Sequence, residues 1–246
     1  MNETRLNTIA REVFASLRSD CPALPDASFT VHYDHNITGN TLAYTSTWFY
    51  NALPIVQDVY YVGHDFEIAM HPNATWWDGV CSQLPNNAYD VRTTLLHEFL
   101  HGVGIISTVR ADKTALPVVY DLQLRDSSDH PVVEGHLFTG TFGQSLHVNH
   151  VAVYNPFTYS SGSSFSHYLH SGIMDYAQHT SECIRHIDND VKRMLQAVGY
   201  NCSLTVSGTD MGGLTVVMGL VGLVIVAAVV AGFACRANKV TRRTRR

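Results

Sequence analysis

Residues 93–107 read T-T-L-L-H-E-F-L-H-G-V-G-I-I-S, and no other stretch constrains the fold of this chain so tightly. At its centre is H-E-x-x-H, with His97 and His101 four residues apart. On an α-helix that spacing stacks two imidazoles on one face, where both can reach one tetrahedral ion, and zinc is the usual occupant of such a site. Glu98 points about a quarter-turn away. It can therefore hold a water against the metal without becoming a ligand, as metal-assisted hydrolysis requires. Val91, Leu95 and Phe99, with a second row of Leu96, Leu100 and Val103, make the helix apolar over a wide arc, which predicts burial. Two histidines and a glutamate in a buried helix need partners, because unpaired polar groups are costly there. Gly102 and Gly104 predict an early stop, since glycine enters the left-handed region cheaply.

The pattern on either side predicts an α+β domain over residues 1–205. Residues 3–18 read as an amphipathic helix with Leu6, Ile9, Val13, Phe14 and Leu17 on one side. Residues 28–35 alternate as a strand, residues 41–51 and 59–63 are β-rich, and residues 66–71 read as a further short strand. The motif helix is expected over residues 86–103, capped near Asn87 or Asp90. Residues 108–166 show little periodicity and predict loops with brief strands; a stretch that long in a compact domain is more often functional than accidental. A last helix is expected over residues 188–198, stopped by Gly199. Helix, twisted sheet, motif helix and a loop-rich C-terminal part make an α+β arrangement.

Beyond a short linker at 206–210, residues 211–235 carry no charge and are long enough to cross a bilayer with some tilt. Residues 236–246 follow with six basic side chains. All 21 acidic residues lie at or before Asp210, so the body is acidic and the tail basic. That polarity disfavours nucleic-acid binding. The positive-inside bias predicts a single-pass membrane protein with a cytoplasmic tail and an extracellular or luminal body. Four N-x-S/T acceptors, at Asn2, Asn36, Asn73 and Asn201, agree with a glycoprotein facing outward. The first residues have no apolar signal core, so this reading requires either an export signal upstream of Met1 or insertion by the tail, and the charge rule disfavours the second. The body holds four cysteines, which allow three pairings. Of these we favour Cys21–Cys81 and Cys183–Cys202, the second clasping the last helix.

A catalytic zinc takes three protein ligands and keeps one position open. In the longer motif H-E-x-x-H-x-x-G-x-x-H, Gly104 fits but Ser107 stands where the third histidine would be. By residue type alone the third ligand is open among His130, His136, His147, His150, His167, His170, His179 and His186, and the downstream carboxylates. The segment H-E-F-L-H-G-V-G-I-I-S, followed far downstream by S-H and I-M-D-Y, resembles the metzincin clan of zinc peptidases, and within it the leishmanolysin-like members whose third histidine is displaced by an insertion. The likeness spans roughly residues 60–200. It includes the strand at 66–70, Trp76-Trp77, the G-S-S-x-S-H segment ending at His167, Met174 and the closing Gly199-Tyr200. The resemblance implies His167 as third ligand, a tight turn carrying Met174 beneath the metal, and an extended substrate along an edge strand near residues 66–71. The interval from His167 to Met174 is short for the clan, which keeps His170 as an alternative ligand. The membrane tail is also not part of the usual secreted form. Tyr176 resembles the tyrosine of the clan's M-x-Y turn, which implies a hydroxyl that donates to the oxyanion.

These features predict a membrane-anchored zinc endopeptidase. His97, His101 and His167 hold the ion, Glu98 serves as general base, and a protein or peptide is the substrate. Two other classes fit the same residues: a catalytically silent anchored adhesion ectodomain, and a zinc hydrolase of a non-peptide substrate. Retention of Glu98 argues against the first, since a structural site does not need it.

Overall fold

The computed structural model describes residues 1–51, 60–116 and 118–205. The expected linker, membrane span and basic tail, 206–246, lie outside them. Among the described residues no helix is long and apolar enough to cross a membrane.

Helix α1 (Glu3–Asp20) starts where Asn2 accepts a hydrogen bond from the Arg5 amide, and it buries Leu6, Ile9, Ala10, Val13, Phe14 and Leu17. Their spacing of three and four is what turns one face inward. The stripe packs on a mixed sheet of β1 (Ser28–Tyr33), β2 (Ala43–Asn51) and β3 (Tyr60–Met70), in the order β1-β3-β2. Strand β3 lies parallel to β1 and antiparallel to β2. Two expectations are corrected here. Residues 59–63 and 66–71 are not separate strands but parts of β3. The polar run Gly63-His64-Asp65 is absorbed by an irregularity in which Trp48 alone stands opposite it, between the pairs Thr47↔Phe66 and Phe49↔Val62. Strand β3 is also the centre of the sheet, so residues 66–70 offer no free edge; β1 and β2 are the edges.

Helix α2 (Val91–Gly102) is the motif helix, begun by Asp90, whose carboxylate accepts the Thr93 amide at 2.9 Å. The cap is fully buried and faces the Arg185 guanidinium, which also donates to the Gly79 carbonyl at 2.7 Å. Four phenylalanines lock α1, the sheet and α2 together. Phe14, Phe29, Phe66 and Phe99 stand with ring centroids between 4.8 Å (Phe29–Phe99) and 6.4 Å (Phe14–Phe66), mostly edge to face, the arrangement that opposes the negative face of one ring to the positive edge of the next. Gly102 closes the helix against this cluster, where a Cβ would sit 2.7 Å from the Phe66 ring.

Trp76-Trp77 forms β4, paired in parallel with β5 (Tyr89–Asp90) just before the helix. The long stretch after α2 holds short strands, as expected: β6 (Leu124–Asp126), β9 (Leu146–Val148) and β10 (Val151–Val153) form a three-stranded antiparallel sheet, and β7 (Val133–Glu134) pairs with β8 (Leu137–Phe138). Helix α3 (Asn189–Ala197) is capped by Asp188 and followed by Gly199 at φ +108°.

The disulfides differ from the expected pairing. They join Cys21 to Cys202 and Cys81 to Cys183, with Cα separations of 4.7 and 5.7 Å. The pairing is not legible in the sequence because the contacts beside each cysteine are long-range. Arg185 ties the 183–185 segment to Gly79 and Asp90, bringing Cys183 to Cys81. The ends of α1 and of the last helix meet at the buried pair Cys21 and Cys202.

Because the Phe66 ring has neighbours on several sides, a methyl group at residue 102 has little room. Gly102→Ala should destabilise the domain by about 1–3 kcal/mol, read as a lower urea midpoint with an unchanged slope. An unchanged midpoint would show that the aromatic cluster yields freely.

Candidate metal centre

Helix α2 presents His97 and His101 on one face, and the segment before Tyr168 brings His167 to meet them. The His97 Nε2 lies 3.1 Å from the Nε2 of His101 and 3.1 Å from that of His167. The three ring centroids are 4.8, 5.0 and 4.9 Å apart, close to an equilateral triangle. Among the described residues this is the group of histidine, cysteine and acidic side chains whose ligand atoms converge as a metal ion needs. His170 is not part of it: that ring is bonded to Asp190 at 2.8 Å and stands edge-on to Tyr168.

The opposite nitrogen of each ring is held by a backbone carbonyl: His97 by Ile173 and His101 by Ile105, both at 2.7 Å, and His167 by Ser163 at 2.8 Å. A carbonyl only accepts, so each Nδ1 carries a proton and donates it. In a neutral ring the Nε2 is then a lone pair. Three such lone pairs point at one spot, and two acceptors 3.1 Å apart cannot bond to each other. A proton could relieve the contact only by charging a ring, and burial opposes that at His101 and His167. Burial, followed by the charge of His97, pushes His167 down to about 3. Burial, followed by His97 and His167, pushes His101 well below the ordinary histidine value. A cation satisfies all three lone pairs together, so the cluster can hold a metal ion.

Glu98 follows His97 on the same helix but faces elsewhere. Its carboxylate accepts the Thr45 hydroxyl at 2.7 Å, and the same hydroxyl lies 2.9 Å from the Glu98 carbonyl. Burial raises the Glu98 pKa, opposed by His97 and by the Thr45 bond. Met174 is fully buried and follows Ile173, whose carbonyl orients His97; its own carbonyl accepts the Tyr168 amide. Tyr176 is half exposed and stacks flat on Tyr154 at 4.2 Å. The Tyr154 amide in turn donates to the His167 carbonyl, so Tyr176 is tied to the ligand segment at one remove.

Several residues of this neighbourhood have no local sequence signal. Thr45 is the first of three consecutive polar residues, Thr45-Ser46-Thr47, in β2. Ser107, at the position where the longer motif has histidine, donates its amide to the Ser166 hydroxyl at 2.9 Å and its own hydroxyl to Asp121 at 2.6 Å. Asp121 is fully buried, which pushes its carboxyl up to about 6 against hydrogen bonds from Ser107 and Thr108.

The depressed His167 value has a consequence for the metal-free protein. The ring takes a proton near pH 3 when folded and near 6.5 when unfolded, so between those values the unfolded chain binds more protons. The contribution of His167 to stability is full above about pH 6.5 and is lost as pH falls toward about 3. Thermal melts of chelated protein from pH 7 to pH 4 should show a steeper fall for wild type than for His167→Asn; equal slopes would place His167 in a more solvated setting. Removing His167 should also abolish tight metal binding, while His170→Ala retains it, as metal content per chain would report.

No family model, no curated protein and no solved structure matches this chain.

Proposed function

We propose that the chain is a zinc-dependent endopeptidase of metzincin type. The observation that carries this reading is the convergence of three imidazole lone pairs beside a buried carboxylate on the same helix. A tetrahedral zinc with Zn–N distances of about 2.0–2.1 Å spaces its nitrogens about 3.3 Å apart, close to the 3.1 Å found here. The donor set is also the one zinc favours: three neutral imidazoles, each oriented by a hydrogen bond at its far nitrogen. Zinc held there lowers the pKa of a water to near 7 and polarises a carbonyl.

The rest of the proposed chemistry belongs to the chain. Glu98, oriented by Thr45, takes the proton from the attacking water and passes it to the leaving amine. The Tyr176 hydroxyl, on a side chain half open to solvent, donates to the oxyanion of the tetrahedral intermediate. Peptide recognition uses β2, because it is a sheet edge and its Thr45 touches Glu98. The two disulfides support an oxidising compartment. With the apolar residues 211–235 and the basic tail, they favour an anchored enzyme whose catalytic body faces outward or into a lumen.

Glu98→Gln should lower turnover of dye-quenched casein by about 10³-fold while zinc content stays at the wild-type level. Full proteolysis by that variant would overturn the mechanism. Tyr176→Phe should lower kcat by about 10²-fold with little change in KM; undiminished kcat would remove the hydroxyl from the reaction.

A further inference from the structure

The third ligand is delivered by a segment that has no regular secondary structure, yet it is pinned at every residue. Phe165 is fully buried and held at φ +69°, a left-handed conformation that a bulky residue adopts only under constraint. Its amide donates to the Tyr154 carbonyl at 2.7 Å, and its carbonyl accepts the Tyr120 hydroxyl at 2.8 Å. The Ser166 hydroxyl accepts the Ser107 amide, and the His167 carbonyl accepts the Tyr154 amide.

Two of these restraints lead back to one dipeptide. Tyr120 and Asp121 are adjacent, both essentially without solvent exposure. Tyr120 reaches Phe165 directly. Asp121 reaches Ser166 through Ser107: one carboxylate oxygen accepts the Ser107 hydroxyl, and the other accepts the Thr108 amide at 3.1 Å and the Thr108 hydroxyl at 2.7 Å. Burying a carboxylate and a phenol is costly unless both are fully bonded, and apolar side chains would fill the same space without that cost. Here each polar atom is spent on the chain that leads into His167 or on the turn that leaves the motif helix.

We propose that Tyr120 and Asp121 act as a clamp that positions His167, and so set the place of the third metal ligand. Ser107 is the coupling point: it occupies the site where a contiguous motif would carry the ligand itself, and it passes the restraint from Asp121 to the residue before His167. Both are positioning residues and touch no ion. The inference rests on the three-histidine centre and not on which bond the enzyme cleaves.

The test is zinc affinity of the full-length chain, measured by competition with a chromophoric chelator, with the visible spectrum of the cobalt-substituted protein as a second readout. Asp121→Asn and Tyr120→Phe should each weaken zinc binding about 10–100-fold and lower the intensity of the four-coordinate cobalt bands, with far-UV dichroism unchanged. In a His167→Ala background the same substitutions should cause no further loss, because the clamp then has nothing to deliver. Ser166→Ala, which removes one hydroxyl, should reproduce the Asp121→Asn loss, and it answers the question if Asp121→Asn does not fold. Wild-type affinity in Tyr120→Phe and Ser166→Ala would overturn the clamp while leaving the metal centre standing. Equal losses with and without His167 would overturn it as well, by showing a general packing effect. A wild-type chain that binds no zinc would remove the centre itself, and the clamp with it.

Discussion

Three hydrogen bonds from imidazole Nδ1 to backbone carbonyls decide what this molecule can do. Each fixes a tautomer and a ring direction, so the Nε2 of His97 lies 3.1 Å from that of His101 and 3.1 Å from that of His167. Without those carbonyls the same side chains could rotate, take the other tautomer or bond to one another. The carbonyls come from three different places: Ile105 just beyond the motif helix, Ser163 at the end of the long irregular stretch, and Ile173 in the turn before Met174. The three-histidine cluster is thus where three chain segments meet.

The holding is done by contacts of different kinds. The helix is fixed at its start by the buried Asp90–Arg185 pair and at its end by Gly102 against Phe66. Losing one partner of such an ion pair leaves a buried charge uncompensated, which costs more than the pair itself contributes. The Cys81–Cys183 bridge joins the same two segments as the Arg185 contacts. Between its short strand pairs the stretch after the motif helix relies on side chains such as Tyr120, Asp121 and Tyr159, each reaching a specific group.

What the sequence made legible follows from the range of the interactions involved. Helices α1, α2 and α3 are set by spacing, caps and glycine stops, all within a few residues, and they lie where the pattern places them to within a few residues. His97, Glu98 and His101 are legible for the same reason. The remote partner was not: His167 and His170 are of equal standing by residue type, and only resemblance separated them before geometry did. The carbonyl partners carry no side-chain signal at all. Thr45 is set by a sheet register, and Asp121 by a contact 14 residues from Ser107. The disulfide pairing failed because long-range packing decides it. Residues 59–63 and 66–71 read as two strands because the irregularity at Gly63-His64-Asp65 looks, in one dimension, like the end of a strand, and the central place of β3 rests on long-range pairings that no local pattern shows.

The arrangement also bears on how metal and fold depend on each other. A zinc site in a small finger domain contributes most of the folding free energy, and the chain is unstructured without the ion. Here the scaffold has contacts of its own away from the site: a four-phenylalanine core, two disulfides and three capped helices. What the ion relieves is local, a triangle of converging lone pairs held together by the surrounding carbonyls. Metal binding then adds stability by mass action, in proportion to its concentration over its dissociation constant, while the geometry it meets is already built. Preorganisation of that kind is what a catalytic site needs, because coordination set by a rigid scaffold can leave a position open that a chain folding around its ion would tend to fill.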